Sequence, residues 1–313
     1  MKININKLHT LKIATRQSEL ALWQANYVKD ELLKIYPNLK IELITMLSKG
    51  DKLLDSPLSK IGGKGLFIKE LEHAILSDKA DIAVHSIKDI PTVFTNNLGL
   101  NCICKRDDPR DAFVSNKYAQ ISDLPNNAIV GTSSLRRSAQ LLAHYPNLQI
   151  KWLRGNVNTR LTKLDNEEYD AIILAASGLK RLELEYRIKQ YLSSNICLSA
   201  IGQGAVGIEC LNDSKWVEFL KPLHHEETAI CITAERALNK HLNGGCQVPI
   251  AGFAHLVNEQ KLHLTGLVAS VYGKKILQAQ AYDLPQNAVN LGIKVAEDLL
   301  QQGADIILKQ INL

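Results

Sequence analysis

Apolar positions along the chain follow two periods, and the switches between them mark out elements. Leu11-Lys12-Ile13-Ala14-Thr15-Arg16 reads as a strand, and Ser18 stands where a helix N-cap belongs. Behind it Leu22, Ala25, Tyr27, Val28, Leu32 and Leu33 recur near the helical period until Pro37 stops the run. Residues 41–46 give the next strand, 66–76 a helix and 81–85 a further strand. This β-α-β-α succession predicts an α/β domain with a largely parallel sheet. The rhythm resumes near residue 105, with strands over 111–115, 128–131, 149–153 and 170–175 and helices over 134–144 and 157–164. Glycines then interrupt it in Ile201-Gly202-Gln203-Gly204-Ala205-Val206-Gly207, which reads as a crossover and a hinge. From residue 222 the character changes. A helix over 226–241 precedes strands over 248–256, 261–270 and 275–282, and a last helix over 287–302 closes the chain in an α+β pattern.

A chain of 313 residues exceeds one ordinary core. The pattern assigns residues 1–104 and 200–221 to a first α/β domain, 105–199 to a second, and 222–313 to a smaller α+β domain. Hydrophobic residues make up 46% and charged residues 22%, as in soluble globular proteins. The net charge of +5 is spread along the chain, which does not point to nucleic acid. No apolar run is long enough to span a bilayer, and the first residues lack a signal-peptide core, so the expected compartment is the cytoplasm. The six cysteines form no Cys-x-x-Cys pair, and neither a disulfide framework nor a metal site is expected. Cys102 and Cys104 alternate onto one strand face and read as core.

Candidate chemistry gathers at the carboxyl ends of the strands, where open parallel sheets bind ligands. Arg16 follows the first strand, and Lys88 and Asp89 follow the one ending near His85. Arg136 and Arg137 follow Thr132-Ser133-Ser134, Arg154 and Arg160 follow the strand over 149–153, and Arg181 comes soon after Ala175. So many guanidiniums in one topological position predict a cleft between two α/β domains that binds a polycarboxylate. A helix start at Thr132–Ser134 adds backbone N–H groups that favour anions. Phosphate is less favoured, because Gly62-Gly63-Lys64-Gly65 lacks the ending of a nucleotide-binding P-loop. The stretch over 48–65, with Lys49, Lys52, Lys60 and Lys64, reads equally as a cationic active-site loop or a solvated one. Asp89 is the best carboxylate for stabilising a cationic intermediate, although it would serve as well to pair with Lys88 or cap a turn. His85 reads as support for the strand end. Cys246, after Gly244-Gly245 and before Gln247-Val248-Pro249, sits on a loop at a helix end, and on its own reads as a small buried residue.

Taken in order, several segments form one set. They are Ala14-Thr15-Arg16-Gln17-Ser18, Gly62-Gly63-Lys64-Gly65-Leu66-Phe67, Asp81-Ile82-Ala83-Val84-His85-Ser86-Ile87-Lys88-Asp89 and Arg106-Asp107-Asp108-Pro109-Arg110-Asp111. Gly131-Thr132-Ser133-Ser134-Leu135-Arg136-Arg137, Arg154-Gly155-Asn156-Val157-Asn158-Thr159-Arg160, Ile201-Gly202-Gln203-Gly204-Ala205 and Gly244-Gly245-Cys246-Gln247-Val248-Pro249 complete it. The chain thereby resembles the porphobilinogen deaminase (hydroxymethylbilane synthase) family along nearly its whole length.

The resemblance implies two periplasmic-binding-protein-like α/β domains plus a smaller α+β C-terminal domain that carries the cofactor cysteine. It implies a monomeric transferase of tetrapyrrole (haem) biosynthesis, with no nucleic-acid, membrane or metal partner. Such enzymes condense four porphobilinogen molecules head to tail, release ammonia at each step, and free hydroxymethylbilane with water. The primer is a dipyrromethane cofactor, held by a thioether that matches Cys246. Asp89 matches the catalytic aspartate. Lys88, Ser86, Thr132, Ser134, Arg136, Arg137, Arg154 and Arg160 match cofactor-binding residues, and Arg16, Ser18, Arg181, Lys60 and Lys64 match substrate-binding ones. Glu19 stands where many relatives carry proline, which should only loosen the helix start. The rival reading is a binding protein that closes on an anion without turnover.

Overall fold

The computed structural model describes residues 10–48, 68–94, 96–245 and 247–311. The described chain packs as two units: residues 10–48, 68–94, 96–106 and 205–229 form the first, and 107–204, 230–245 and 247–311 the second.

In the first unit β1 (Leu11–Arg16) leads into α1 (Glu19–Ile35), β2 (Ile41–Met46), α2 (Lys69–Leu76), β3 (Ile82–Ser86) and β4 (Leu98–Ile103). Ser18 occupies the N-cap position of α1 in extended conformation, without a side-chain cap bond. Ala21, Gln24, Ala25, Val28 and Leu32 form the buried stripe of α1, at the spacing of one helix face. Beneath it lie Leu11, Ile13, Ile82 and Val84 of the sheet. On the opposite face Ala14 and Ala83 meet Leu71, Ala74 and Ile75 of α2.

The second unit continues with β5 (Asp111–Val114), β6 (Ile129–Gly131), α3 (Leu135–His144), β7 (Gln149–Lys151), α4 (Val157–Asp165), β8 (Ala171–Ala175), α5 (Ala176–Arg181) and β9 (Gln190–Tyr191). Its sheet runs β7-β6-β8-β5-β9. Phe113, Val130 and Ile173 pack with Leu141 of α3 on one face, while Ala112, Ile172 and Leu174 pack with Leu161 and Leu164 of α4 on the other.

The chain then returns to the first unit as β10 (Val206–Leu211) and α6 (Trp216–Leu220). The first sheet therefore runs β2-β1-β3-β10-β4, with β10 antiparallel to both neighbours. The pattern alone read Val206-Gly207 as part of a crossover, whereas they open a fully buried strand. Gly207 is required there by close approach: a Cβ would lie 2.5 Å from Leu100 Cδ1 and 2.9 Å from Ile87 Cγ1. The sheets are also more mixed than expected, since β5 runs antiparallel to β8 and β9.

Helix α7 (Glu226–His241) leads to the antiparallel meander β11 (Ile250–Asn258), β12 (Lys261–Ala269) and β13 (Ile276–Asp283), then to α8 (Ala288–Gln301) and α9 (Ala304–Ile311). Leu238, Leu264, Val268, Leu291, Val295 and Leu299 form the core between these strands and helices. At the far end of the sheet Ala251, Leu267 and Ala269 meet Ala139 of α3 and Leu198, so the meander packs onto the second α/β layer. Helix α9 goes beyond the last helix that the pattern predicted: Gly303, at φ +94°, turns the chain and a further amphipathic segment follows. Among the described residues no helix is long and apolar enough to cross a membrane.

Candidate active site

In the first unit, the parallel strands β1 and β3 are neighbours, with Ile13 opposite Ile82 and Ala14 opposite Ala83. That register delivers Arg16 and Ser86 to one sheet edge. Ser86 ends β3, and a 3-10 turn over Ile87–Asp89 follows, closed by Ile90 N–H donating to Ile87 O at 3.0 Å. Ile87 is buried and its N–H donates to Ala205 O at 3.1 Å, while Lys88 and Asp89 stay half-buried at the surface of the turn. Gln24 on α1 donates from Nε2 to Ser86 Oγ at 2.7 Å. Sequence reading missed Gln24, although an amide on the apolar stripe of a helix is a signal, because a buried polar group needs a partner.

In the second unit, β6, β7 and β8 are parallel and end at a common edge. After β6, Thr132 Oγ1 accepts from Ser134 N–H (3.2 Å), and Ser134 is the N-cap of α3, its Oγ accepting from Arg137 N–H (3.4 Å). After β7 come Arg154 and Gly155, and Asn156 caps α4 by accepting from Thr159 N–H at 2.8 Å. Ser133 ties the two loops together: its Oγ donates to Leu153 O (2.8 Å) and accepts from Leu153 N–H (3.1 Å). Two helix N-termini thus open at one edge, neither with an acidic residue in its first turn. Such an edge is electropositive and favours carboxylates. Burial lowers the pKa of the Arg154 guanidinium, so an anion bound beside it would be favoured. Arg160, on the first turns of α4, donates from Nε to Gly155 O at 2.8 Å.

Arg136 and Arg137 are placed differently. Both are buried, and both converge on the fully buried Asp111 at the start of β5. Arg136 Nη1 lies 2.7 Å from Asp111 Oδ2 and also donates to Leu198 O at 2.6 Å. Arg137 donates from Nε (2.9 Å) and Nη2 (2.7 Å) to Asp111 Oδ1, and from Nη1 to Ile173 O (3.0 Å). Gln203 Nε2 adds a bond to Asp111 Oδ1 at 2.9 Å, and Cys197 Sγ donates to Oδ2 at 3.2 Å. Burial alone would push the Asp111 carboxyl up; the charges and hydrogen bonds of the two guanidiniums outweigh it and hold the carboxyl well below the usual range. Burial, with the Asp111 charge, pushes the Cys197 thiol up to about 12, which keeps it protonated as a donor. Asp111 was not singled out by sequence reading, because an aspartate opening an apolar strand looks like any strand-end residue.

Arg181 is also buried. Its Nη2 donates to Gly204 O at 2.6 Å, and its Nε lies 3.7 Å from Asp107 Oδ2. Gly204 has φ +90°, and a Cβ there would lie 2.6 Å from Asp107 O, which explains the glycine. Lys60, Lys64 and Cys246 lie outside the described residues. On either side of Cys246, α7 ends at His241 and β11 starts at Ile250, with Gly244 N–H donating to Asn239 O at 2.8 Å and Val248 N–H to Gly245 O at 3.4 Å.

Residues 11–218 match the family model described as "Porphobilinogen deaminase, dipyromethane cofactor binding domain", and 229–301 match "Porphobilinogen deaminase, C-terminal domain". Among solved structures, the chain is similar to the methionine-binding protein MetQ at 15% identity, covering 75% of this chain and 96% of that one, with a TM-score of 0.46. A periplasmic substrate-binding protein from Coxiella burnetii is similar at 12% identity, with 69% and 92% covered and a TM-score of 0.45. A putative methionine-binding lipoprotein from Bacillus subtilis is similar at 12% identity, with 70% and 92% covered and a TM-score of 0.44. The two family matches run through both carboxyl edges, the turn that carries Asp89 and the loop that leads into β11, so the chain belongs to the porphobilinogen deaminase family and its N-terminal part is a dipyrromethane cofactor-binding domain.

Proposed function

We propose that the protein is a hydroxymethylbilane synthase, which condenses four porphobilinogen molecules head to tail with loss of ammonia and frees the linear product with water. The observation that carries this reading is the match of residues 11–218 to the dipyromethane cofactor binding domain, together with Asp89 on an ordered turn at the carboxyl edge of β1 and β3.

The donor set suits such a cofactor. Each pyrrole carries an acetate and a propionate, and the edge of β6 and β7 offers two helix N-termini without acidic neighbours, the hydroxyls of Thr132 and Ser134, and the half-buried Arg154. Thr132, Ser134, Arg154 and Arg160 would hold acid side arms there, and Ser86 and Lys88 match further cofactor-binding residues of the family. Arg136 and Arg137 support that edge from within, by fixing the first turn of α3 to Asp111. Cys246 would carry the cofactor through a thioether. When bound, the dipyrromethane supplies the pyrrole carbon onto which the first substrate is joined.

The remaining work falls to the chain's own residues. The Asp89 carboxylate would accept a hydrogen bond from the pyrrole N–H of the substrate and stabilise the positive charge that develops as ammonia departs. Its backbone is fixed by the bonds of Ile87 and Ile90, so little reorganisation is needed at that moment. Arg16, Ser18 and Arg181, with Lys60 and Lys64, would serve the incoming substrate and the lengthening chain. We place the enzyme in the cytoplasm as a monomer.

Intact-protein mass spectrometry tests the proposal. The purified chain should weigh more than its polypeptide by two linked pyrroles, and Cys246→Ser should lose that excess together with turnover. An unmodified wild-type mass, with no porphobilinogen consumed, would instead favour a binding protein.

A further inference from the structure

Beneath the strand that carries Asp89 lies a group of ionisable side chains to which the reading above gives no role. His85 Nε2 sits 2.9 Å from Glu209 Oε2, with the side chains 4% and 0% exposed. The two residues belong to β3 and β10, antiparallel neighbours in which His85 faces Gly207 and Ala83 faces Glu209. The contact is therefore diagonal across the pair. The two groups lie within ion-pair distance, and among the described residues Glu209 Oε1 is buried without a hydrogen-bond partner. Glu72 on α2 approaches the same two residues. Burial raises its pKa, the Glu209 charge raises it further, and His85 and then Lys69 oppose the rise. An imidazole between carboxylates, two residues before the Ile87–Asp89 turn ends β3's run to the surface, is a costly thing to bury merely as packing.

We propose that His85 and Glu209 are positioning residues for Asp89, which they hold by locking the register of β3 against β10; the proposal rests on the reading of Asp89 as the catalytic carboxylate. β10 reaches β3 only after a long excursion through the second unit, so no hairpin turn fixes its register. Apolar side chains on a buried strand tolerate a two-residue slip, because the same faces remain covered. Such a slip would carry the turn by about 7 Å along the strand. A diagonal imidazole–carboxylate contact tolerates none. Ile87 N–H on Ala205 O extends the same register by one further bond into the turn. On the opposite face Gln24 holds Ser86 from α1, so β3 is fixed on both sides just before it delivers Asp89.

The test is a set of variants read on the holoenzyme: His85→Gln, Glu209→Gln, the two combined, and each single change in an Asp89→Asn background. Cofactor loading is measured by intact mass, folding by thermal denaturation, and rate by single-turnover consumption of porphobilinogen, normalised to loaded enzyme. Each single variant is expected to lose about 10–100-fold in rate per loaded molecule with KM changed less than about threefold, as befits a lost positioning group. The combined variant removes the same single lock, so it should lose no more than about twofold beyond the worse of the two single changes. In the Asp89→Asn background the single changes should cost less than about twofold, since the group they position is already gone. Single variants within about threefold of wild type, or losses of equal size with and without Asp89, would overturn the proposal. Should His85→Gln fail to fold, Glu209→Gln in the two backgrounds decides alone. If the wild type carries no pyrrole adduct and consumes no porphobilinogen, the functional reading fails first, and that outcome is separate from any failure among the variants.

Discussion

Asp111→Asn is the perturbation whose consequence follows most directly from the geometry. The carboxylate is fully buried and accepts from Arg136, from Arg137 twice, and from Gln203 and Cys197. Asparagine keeps the shape but removes the charge, and its amide would turn a donor toward a guanidinium or toward the Gln203 amide. Two buried guanidiniums would then be left without their counter-ion. Removing one partner of a buried ion pair destabilises by about 3–5 kcal/mol. At about 2–4 °C per kcal/mol for a folding unit of 150–250 residues, the second unit should melt roughly 6–20 °C lower. Differential scanning calorimetry at pH 7 reads this directly.

The pH dependence gives a second check on the same group. The folded-state pKa of Asp111 is depressed below its unfolded value of about 3.9, so the stability it contributes is fully present above that value and is lost as pH falls toward the folded pKa. The gap between wild type and Asp111→Asn should stay constant from pH 8 to pH 5. Below about pH 3.9 it should narrow by roughly 1.4 kcal/mol per pH unit, because the unfolded wild type takes up a proton that the folded one refuses. A variant that melts within about 2 °C of wild type at pH 7, or a gap that widens on acidification, would refute the reasoning.

Two further predictions are sharper for being local. Asp89→Asn should leave the melting temperature and cofactor mass unchanged while turnover falls on the order of a hundredfold or more, measured by porphobilinogen consumption. Gly204→Ala should destabilise by more than about 1 kcal/mol in thermal melts, since φ is +90° and the new Cβ would strike Asp107 O, whereas Gly245→Ala should not, since none of the described residues lies within 4 Å of its Cβ position.

Much of this protein can be read from the spacing of its apolar residues, and particular elements show where such reading stops. β1, β2, α1 and α7 lie within a residue or two of their expected spans because each is specified by its own periodicity. β10 was hidden because the glycines at 202, 204 and 207 look like a loop, and because nothing near residue 206 announces a partner strand some 120 residues earlier. Glycine at 204 answers a left-handed backbone and at 207 a close approach, so one residue type marks both the turn before the strand and the strand itself. The carboxyl edges of the parallel strands were legible in outline, since strand ends and helix starts are local features and the residues at them could be listed. What each side chain meets was not.

The arginines show why. Arg136, Arg137 and Arg154 occupy equivalent places after strand ends, and spacing treats them alike. The structure separates them through Asp111, 25 and 26 residues before the first two, which draws those guanidiniums inward. Arg154 stays half-buried at the edge, with its pKa lowered by burial. The division has a physical logic. A site that must hold a polyanion needs cations at its edge, yet helix starts that aim N–H groups at a ligand must be held rigid by something else. Adjacent arginines on one helix serve the second need when a buried carboxylate meets both. It follows that Arg136 and Arg137 can be indispensable to ligand binding while contributing chiefly rigidity, and that loss of Asp111 should mimic loss of either.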